Sequence, residues 1–324
     1  MFLRRIDTRV PLPWINRLLN NDNLTINTLF KRCIGSVKLL EKWKKKFDEE
    51  KVPEVQSSLK IILAHVLNVK KLRDLPQSSN EFSMTKSEQE QFEKLCECRM
   101  ARMPIQYIIG EWDFRELTLK MQPPVFIPRP ETEELVELIL QQYEVNESLS
   151  FLEVGCGSGC ISLSLLFSLP KSKLIAIDQS QMACDLTMEN AKRLQLEDRI
   201  QVICHKLTEQ SHLNEIDNGL DLIVSNPPYV PNRDLLDLEP EIKLYEDLRA
   251  LDGGTDGLAV IKDLLRLATK TLKRNGHLWL EVNPTHPELI QKYLQEHISE
   301  LQLKFVASYK DVFQKERFVE ITKL

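Results

Sequence analysis

Between Ser150 and Val282 short apolar runs alternate with longer stretches of helical period, and no other feature leaves the chain fewer folds. Ser150 to Val154, Leu174 to Ile177, Ile200 to Ile203, Leu220 to Val224 and Gly276 to Val282 read as strands. Cys160 to Leu169, Gln181 to Leu194 and Leu258 to Leu272 read as helices. Strands separated by helical crossovers are parallel, and right-handed crossovers lay helices on both faces of the sheet. The fold class is therefore α/β. Leu222, Ile223 and Val224 show no alternation, as expected for a strand covered on both faces. The last two runs, Lys304 to Ser308 and Phe318 to Ile321, are joined by a loop too short for a helix and should pair antiparallel at one edge.

A chain of 324 residues has room for a second, smaller unit. From Gly35 to Met103 the period is helical: Val37, Leu40, Trp43 and Phe47 form one stripe, and Val55, Leu59, Ile62, Leu63 and Val66 another. Pro53 is placed as a first-turn proline, and Thr85-Lys86-Ser87-Glu88 has the spacing of a capping box. Residues 104–128 read as a β-hairpin linker, with Tyr107, Ile108, Ile109, Trp112 and Phe114 before an alternating run at Leu117, Leu119 and Met121. Residues 129–324 make the α/β domain. Residues 1–34 hold six basic residues against Asp7 and Asp22, the composition of a mitochondrial transit segment.

A net charge of −5 argues against a protein whose main task is gripping a polyanion over a broad basic face, and leaves room for a local basic patch. Seven cysteines, an odd number, include no zinc-like double pair, so no metal site is expected. No apolar run approaches the roughly 18 residues of a membrane span.

Two motifs carry chemistry. Gly155-Cys156-Gly157-Ser158-Gly159 follows the first of these strands and opens a helix, so a ligand can approach its backbone closely. Cys160 stands where a dinucleotide fingerprint has its third glycine, which weakens a nicotinamide or flavin reading. Asp178 ends the next strand and is placed to accept both ribose hydroxyl protons of a nucleoside, with a helix cap as the plainer alternative. The second motif is Asn226-Pro227-Pro228-Tyr229, set at the carboxyl end of the Leu222 strand, the end where open α/β sheets bind ligands. Two prolines fix the turn around Asn226.

Together with Gly110-Glu111-Trp112-Asp113-Phe114, Phe126-Ile127-Pro128-Arg129-Pro130-Glu131-Thr132-Glu133 and Leu251-Asp252-Gly253-Gly254, these motifs resemble the release factor glutamine methyltransferases, the HemK or PrmC family, over residues 35–324. The resemblance implies a seven-stranded, Rossmann-like class I methyltransferase domain behind a helical substrate-recognition domain, using S-adenosyl-L-methionine. It implies N5-methylation of the glutamine in the Gly-Gly-Gln motif of class I peptide chain release factors, by a monomer acting on or off the ribosome without sequence-specific nucleic-acid binding. With the basic leader it resembles the mitochondrial type, in the matrix, with the cytoplasm as the alternative. Asn226, Pro227 and Tyr229 are then the catalytic group, and Pro228 joins them around the substrate. Gly155, Cys156, Gly157, Ser158, Gly159, Asp178 and Asn226 would hold the cofactor. Arg129, Glu131 and Thr132 would organise the loop over it, with an Arg to Glu ion pair as the plainer reading.

One departure stands out. Family members commonly carry an acidic residue near the adenine after the third strand, where this chain has Cys204-His205-Lys206-Leu207, and an ammonium cannot accept a hydrogen bond. Glu209 is a candidate substitute. Asn-Pro-Pro-Tyr also occurs in DNA and RNA exocyclic-amine methyltransferases, because an NH2 group on a base poses the same geometry. That class is the main rival, and a non-catalytic methyltransferase-like assembly protein is a further one.

Overall fold

The computed structural model describes residues 34–69, 84–208 and 219–324; the basic leader and Glu209 lie outside them. Two compact units divide between Arg115 and Glu116.

The first unit contains helices α1 (Ile34–Glu49), α2 (Val55–Val66), α3 (Lys86–Met100) and α4 (Ile105–Ile109). Its core is made by the two apolar stripes together with α3: Leu40, Trp43, Phe47, Leu59, Ile62, Leu63, Phe92 and Cys96 are all buried. The capping box before α3 is present, with Glu88 N donating to Thr85 Oγ1 (3.3 Å) and Thr85 N donating to the Glu88 carboxylate (2.6 Å). Two details differ from the sequence reading. Pro53 precedes the cap of α2, Glu54, and so lies outside the first turn. The run at Tyr107 to Ile109 is the short helix α4, entered from Pro104 and stopped by Gly110 at φ 75°. The strand begins only at Glu111, with β1 (Glu111–Phe114) before the turn and β2 (Leu117–Lys120) after it.

The second unit is organised by a seven-stranded sheet of β3 (Ser150–Val154), β4 (Lys173–Asp178), β5 (Ile200–Cys204), β6 (Leu220–Ser225), β7 (Leu272–Glu281), β8 (Leu303–Lys310) and β9 (Glu316–Lys323), in the order β5-β4-β3-β6-β7-β9-β8. The first five run parallel, and β9 lies antiparallel between β7 and β8. The expected edge hairpin is therefore present. Helices α5 (Pro130–Leu140), α6 (Cys160–Ser168), α7 (Gln181–Arg193), α8 (Pro240–Tyr245), α9 (Ala259–Thr271), α10 (His286–Glu296) and α11 (Ile298–Leu301) complete it. Leu222, Ile223, Val224, Leu278, Trp279 and Leu280 are fully buried, which is why their strands lack alternation. Strand order reverses at β3. Its neighbours are β4 and β6, so the loops leaving β3 and β6 emerge side by side, with Val154 in register with Ser225. In an open α/β sheet that reversal is where a crevice forms. Among the described residues no helix is long and apolar enough to cross a membrane.

Candidate active site

A cleft of about 1060 Å³, counted to its open mouth, lies over the carboxyl ends of β3, β4, β5 and β6. Its floor is the glycine loop. Gly155, Gly157 and Gly159 have φ of 78°, 56° and 82°, left-handed values that strain any residue with a Cβ. Gly159 is also the N-cap of α6, and a Cβ there would lie 3.0 Å from Thr187 Cγ2, so α7 packs against the loop only because this position is bare.

Carboxylates hold the loop from beneath. Asp178 Oδ2 accepts from Gly157 N (3.0 Å) and Oδ1 from Ser180 N (2.9 Å). Ser180, not Asp178, is the N-cap of α7. A carboxylate offers about four acceptor positions, so Asp178 keeps capacity for incoming hydroxyl donors. Burial pushes its pKa up, and the backbone N–H of Gly157 opposes the shift. Glu153, 1% exposed, accepts from the amide and hydroxyl of Ser162 in the first turn of α6. Burial drives it up to about 8. From α7, Thr187 Oγ1 donates to Gly157 O (3.0 Å) and Asn190 Nδ2 to Ser158 O (2.9 Å).

Beside this cleft lies a smaller pocket of about 220 Å³, likewise counted to its open mouth, lined by Phe126, Asn226, Pro227, Tyr229, Val230, Ala250 and Leu251. Phe126, Asn226, Pro227 and Ala250 line both spaces. The turn that carries them is braced on two sides. Beneath it, Val230 N donates to Leu251 O (2.8 Å) and Gly253 N to Val230 O (2.9 Å). A Cβ on Gly253 would sit 2.8 Å from the Tyr229 Cα, so the Leu251-Asp252-Gly253-Gly254 motif can lie this close only with glycine there. Beside it, Asn226 Nδ2 donates to Thr132 Oγ1 (3.2 Å), Thr132 Oγ1 donates to Glu281 Oε2 (2.7 Å), and Tyr229 Oη donates to Glu281 Oε1 (3.3 Å). Glu281 ends β7 at 1% exposure, and burial pushes it up to about 7 against the pull of the Thr132 hydroxyl and Arg317. Burial likewise pushes Tyr229 up, so it remains a phenol.

The proline-rich loop is anchored by Arg129, whose Nη2 donates to both oxygens of Glu246 (2.8 and 2.9 Å) while its guanidinium lies 4.5 Å over the Phe126 ring. Glu246 Oε2 also accepts from Ile127 N (3.3 Å).

Gly155, Cys156, Gly157, Ser158, Asp178, Asn226, Pro227 and Pro228 all line the large cleft. Gly159 lies behind the loop as the helix cap, and Tyr229 faces the smaller pocket. Thr132 lies in the cleft and touches Asn226, while Arg129 works from outside through Glu246. His205, Lys206 and Leu207 line the wall beyond Asp178. Glu246 and Glu281 escaped the sequence reading. A glutamate closing the apolar run Leu278-Trp279-Leu280, at the ligand-binding end of a parallel strand, was the available signal.

The cleft suits an adenosyl sulfonium compound. It pairs a carboxylate with spare acceptors, a bare glycine backbone and an apolar wall of Val125 and Ala183. Two family models match the chain: the PrmC N-terminal domain over residues 38–110 and the methyltransferase small domain over residues 116–238. The chain is 44% identical over 297 residues to the MTRF1L release factor glutamine methyltransferase of Homo sapiens, covering 89% of this chain and 88% of that protein. It is 38% identical over 239 residues to the release factor glutamine methyltransferase of Streptococcus pneumoniae, covering 74% and 82%. With that of Lactococcus lactis it shares 35% over 218 residues, covering 67% and 77%.

Proposed function

This chain belongs to the release factor glutamine methyltransferases, the HemK/PrmC family, and we propose on that footing that it methylates N5 of the glutamine in the Gly-Gly-Gln motif of a class I peptide chain release factor. The observation that carries the reading is the wall shared by two pockets: Asn226 and Pro227 face the cofactor cleft on one side and a small open pocket on the other. Bound S-adenosyl-L-methionine supplies an electrophilic methyl group on a positive sulfur. Gly155 to Ser158 and Asp178 are the residues that would hold it.

A carboxamide nitrogen is a poor nucleophile because its lone pair is shared with the carbonyl. Asn226 Oδ1 and the Pro227 carbonyl each accept one N–H of the glutamine amide, which aims the nitrogen across the shared wall and favours the positive charge that grows on it. Alignment of this kind is worth up to ~7 to 11 kcal/mol of barrier. Once methylated, the nitrogen is cationic and releases its proton to water without a dedicated base. Tyr229 walls the pocket around the glutamine side chain.

The reading of a nucleic-acid substrate is weaker here. The segment after the turn, residues 230–250, carries three basic side chains against six acidic, and Leu236 and Leu244 stand exposed on it. Such a rim repels a phosphate backbone and suits a protein surface. The Arg-rich leader supports a mitochondrial site of action, with the mitochondrial release factor as substrate. Incubation with labelled S-adenosyl-L-methionine and either a release factor or nucleic acid decides the matter: label on the glutamine is the expected result, and label in nucleic acid refutes the assignment. Asn226→Ala is expected to cut turnover by ~100- to 1000-fold while cofactor affinity stays within a few-fold.

A further inference from the structure

The hydrogen bonds behind Asn226 can be counted proton by proton. Thr132 has one hydroxyl proton, and it is given to Glu281 Oε2 at 2.7 Å. The hydroxyl oxygen can then only accept from Asn226, and the group that meets it is Nδ2 at 3.2 Å. A side-chain amide has one donor end and one acceptor end, so committing Nδ2 to Thr132 turns Oδ1 toward the pockets. Were Thr132 to donate to Asn226 instead, the amide would present NH2 to the substrate, donor against donor. Tyr229 Oη holds the other oxygen of Glu281 at 3.3 Å, so the carboxylate is fixed on both sides.

From this geometry we infer that Glu281 and Thr132 are positioning residues that set the polarity of Asn226, keeping its oxygen turned toward the amide that is to be methylated. Neither lines the smaller pocket that the glutamine amide enters; both act through Asn226. The inference rests on the amide-clamp reading above and deepens it. It also specifies the acceptor: the site is set for a group with two N–H bonds, and a hydroxyl or carboxylate cannot satisfy both carbonyl acceptors.

The polarity depends on the charge of Glu281. As a carboxylate it can only accept; as an acid it can donate to Thr132, which frees the Thr132 proton for Asn226 and reverses the chain of bonds. Burial places that change near neutral pH, at about 7. The groups facing Glu281 are Arg317 from β9, Glu131 and Glu134 from α5, Cys160 from α6 and Tyr229 from the turn. Arg317 favours the carboxylate and Glu131 opposes it.

The test is the pH profile of kcat, with release factor and S-adenosyl-L-methionine both saturating. The wild-type kcat is expected to fall as pH drops through about 7. Thr132→Val severs the connection, lowering kcat by about 10- to 100-fold at pH 8 and removing the acid limb, while cofactor affinity changes by less than kcat does; Thr132→Ser restores both rate and limb. Glu281→Gln carries no titrating proton and, like the neutral acid, has a donor end, so its kcat is lowered at pH 8 and is flat from pH 6 to 8. Wild-type rates and profile in Thr132→Val overturn the inference, as does a surviving acid limb in Glu281→Gln, which decides alone should the valine variant not fold. An inactive Asn226→Ala beside an unaffected Thr132→Val sinks this inference and spares the clamp; an active Asn226→Ala sinks the clamp itself.

Discussion

Two loops leave neighbouring strands of one sheet, and they are built by opposite means. The loop after β3 is glycine, and its shape comes from backbone conformations closed to other residues. It is held by near groups: Asp178 on the adjacent strand, Glu153 at its own root, and Thr187 and Asn190 on α7. The turn after β6 is proline, and its key side chain is held by groups from α5 and β7, distant in the chain. The difference follows from the two tasks. A loop that wraps a nucleoside must bring backbone close to the ligand, and side chains are in the way. A turn that aims one nitrogen must fix one side chain, and proline with a buried hydrogen-bonded partner does so at little further entropy.

Breaking the glycine side should cost most in binding. Gly159→Val places a β-branched residue at φ 82° and drives it into Thr187, which lies 3.0 Å from the Cβ position. Strain plus overpacking comes to about 3 to 5 kcal/mol, read as a lower melting temperature and a Kd for S-adenosyl-L-methionine raised at least tenfold; an unchanged Kd would mean the loop does not shape the cleft. On the proline side, Arg129→Ala leaves the buried carboxylate of Glu246 without its partner and should cost about 3 kcal/mol in denaturant unfolding, with the rate of transfer suffering more than cofactor affinity. A smaller effect separates the loops by pH. Glu153 is pushed up to about 8 from an ordinary 4.5, so between those values the folded protein holds a proton that the unfolded chain has released. Its contribution to stability is full below 4.5 and is lost as pH rises through 8. Glu153→Gln should flatten the decline between pH 5 and 9, seen in melts across that range. The mildest change is Thr187→Ala, which removes one hydrogen bond to Gly157 O and should weaken cofactor binding by about 1 kcal/mol.

The same contrast explains what could be read in the chain beforehand. Strands β3 to β7 each contain a short apolar run, and the glycine loop and the Asn-Pro-Pro-Tyr turn are contiguous, so each announces itself locally. Thr85 and Glu88 form their box within one turn. The supports of Asn226 are not local: Thr132 lies 94 residues from it, and Glu281 lies 149 residues from Thr132. No periodicity joins such positions; only the sheet order does, by setting β6 beside β7. Glu246 was hidden for the same reason, 117 residues from Arg129 in a segment of short helices without a clear stripe. The helix at Ile105–Ile109 was missed for a different cause: five residues between a proline and a glycine are too few to show a period of 3.6, and three of them are isoleucines that favour strands.

The place of β9 has a consequence for the order of assembly during synthesis. β8 emerges from the ribosome before β9, yet it is attached to the sheet only through β9, which pairs with β7 on one side and β8 on the other. β8 therefore has no seat when it is made, and its backbone must wait for Glu316–Lys323 to follow. Phe318, Val319 and Ile321 are fully buried when that strand inserts. Closure of the sheet is thus a late event in the life of a nascent chain, and the parallel strands that carry the two functional loops are all made before it.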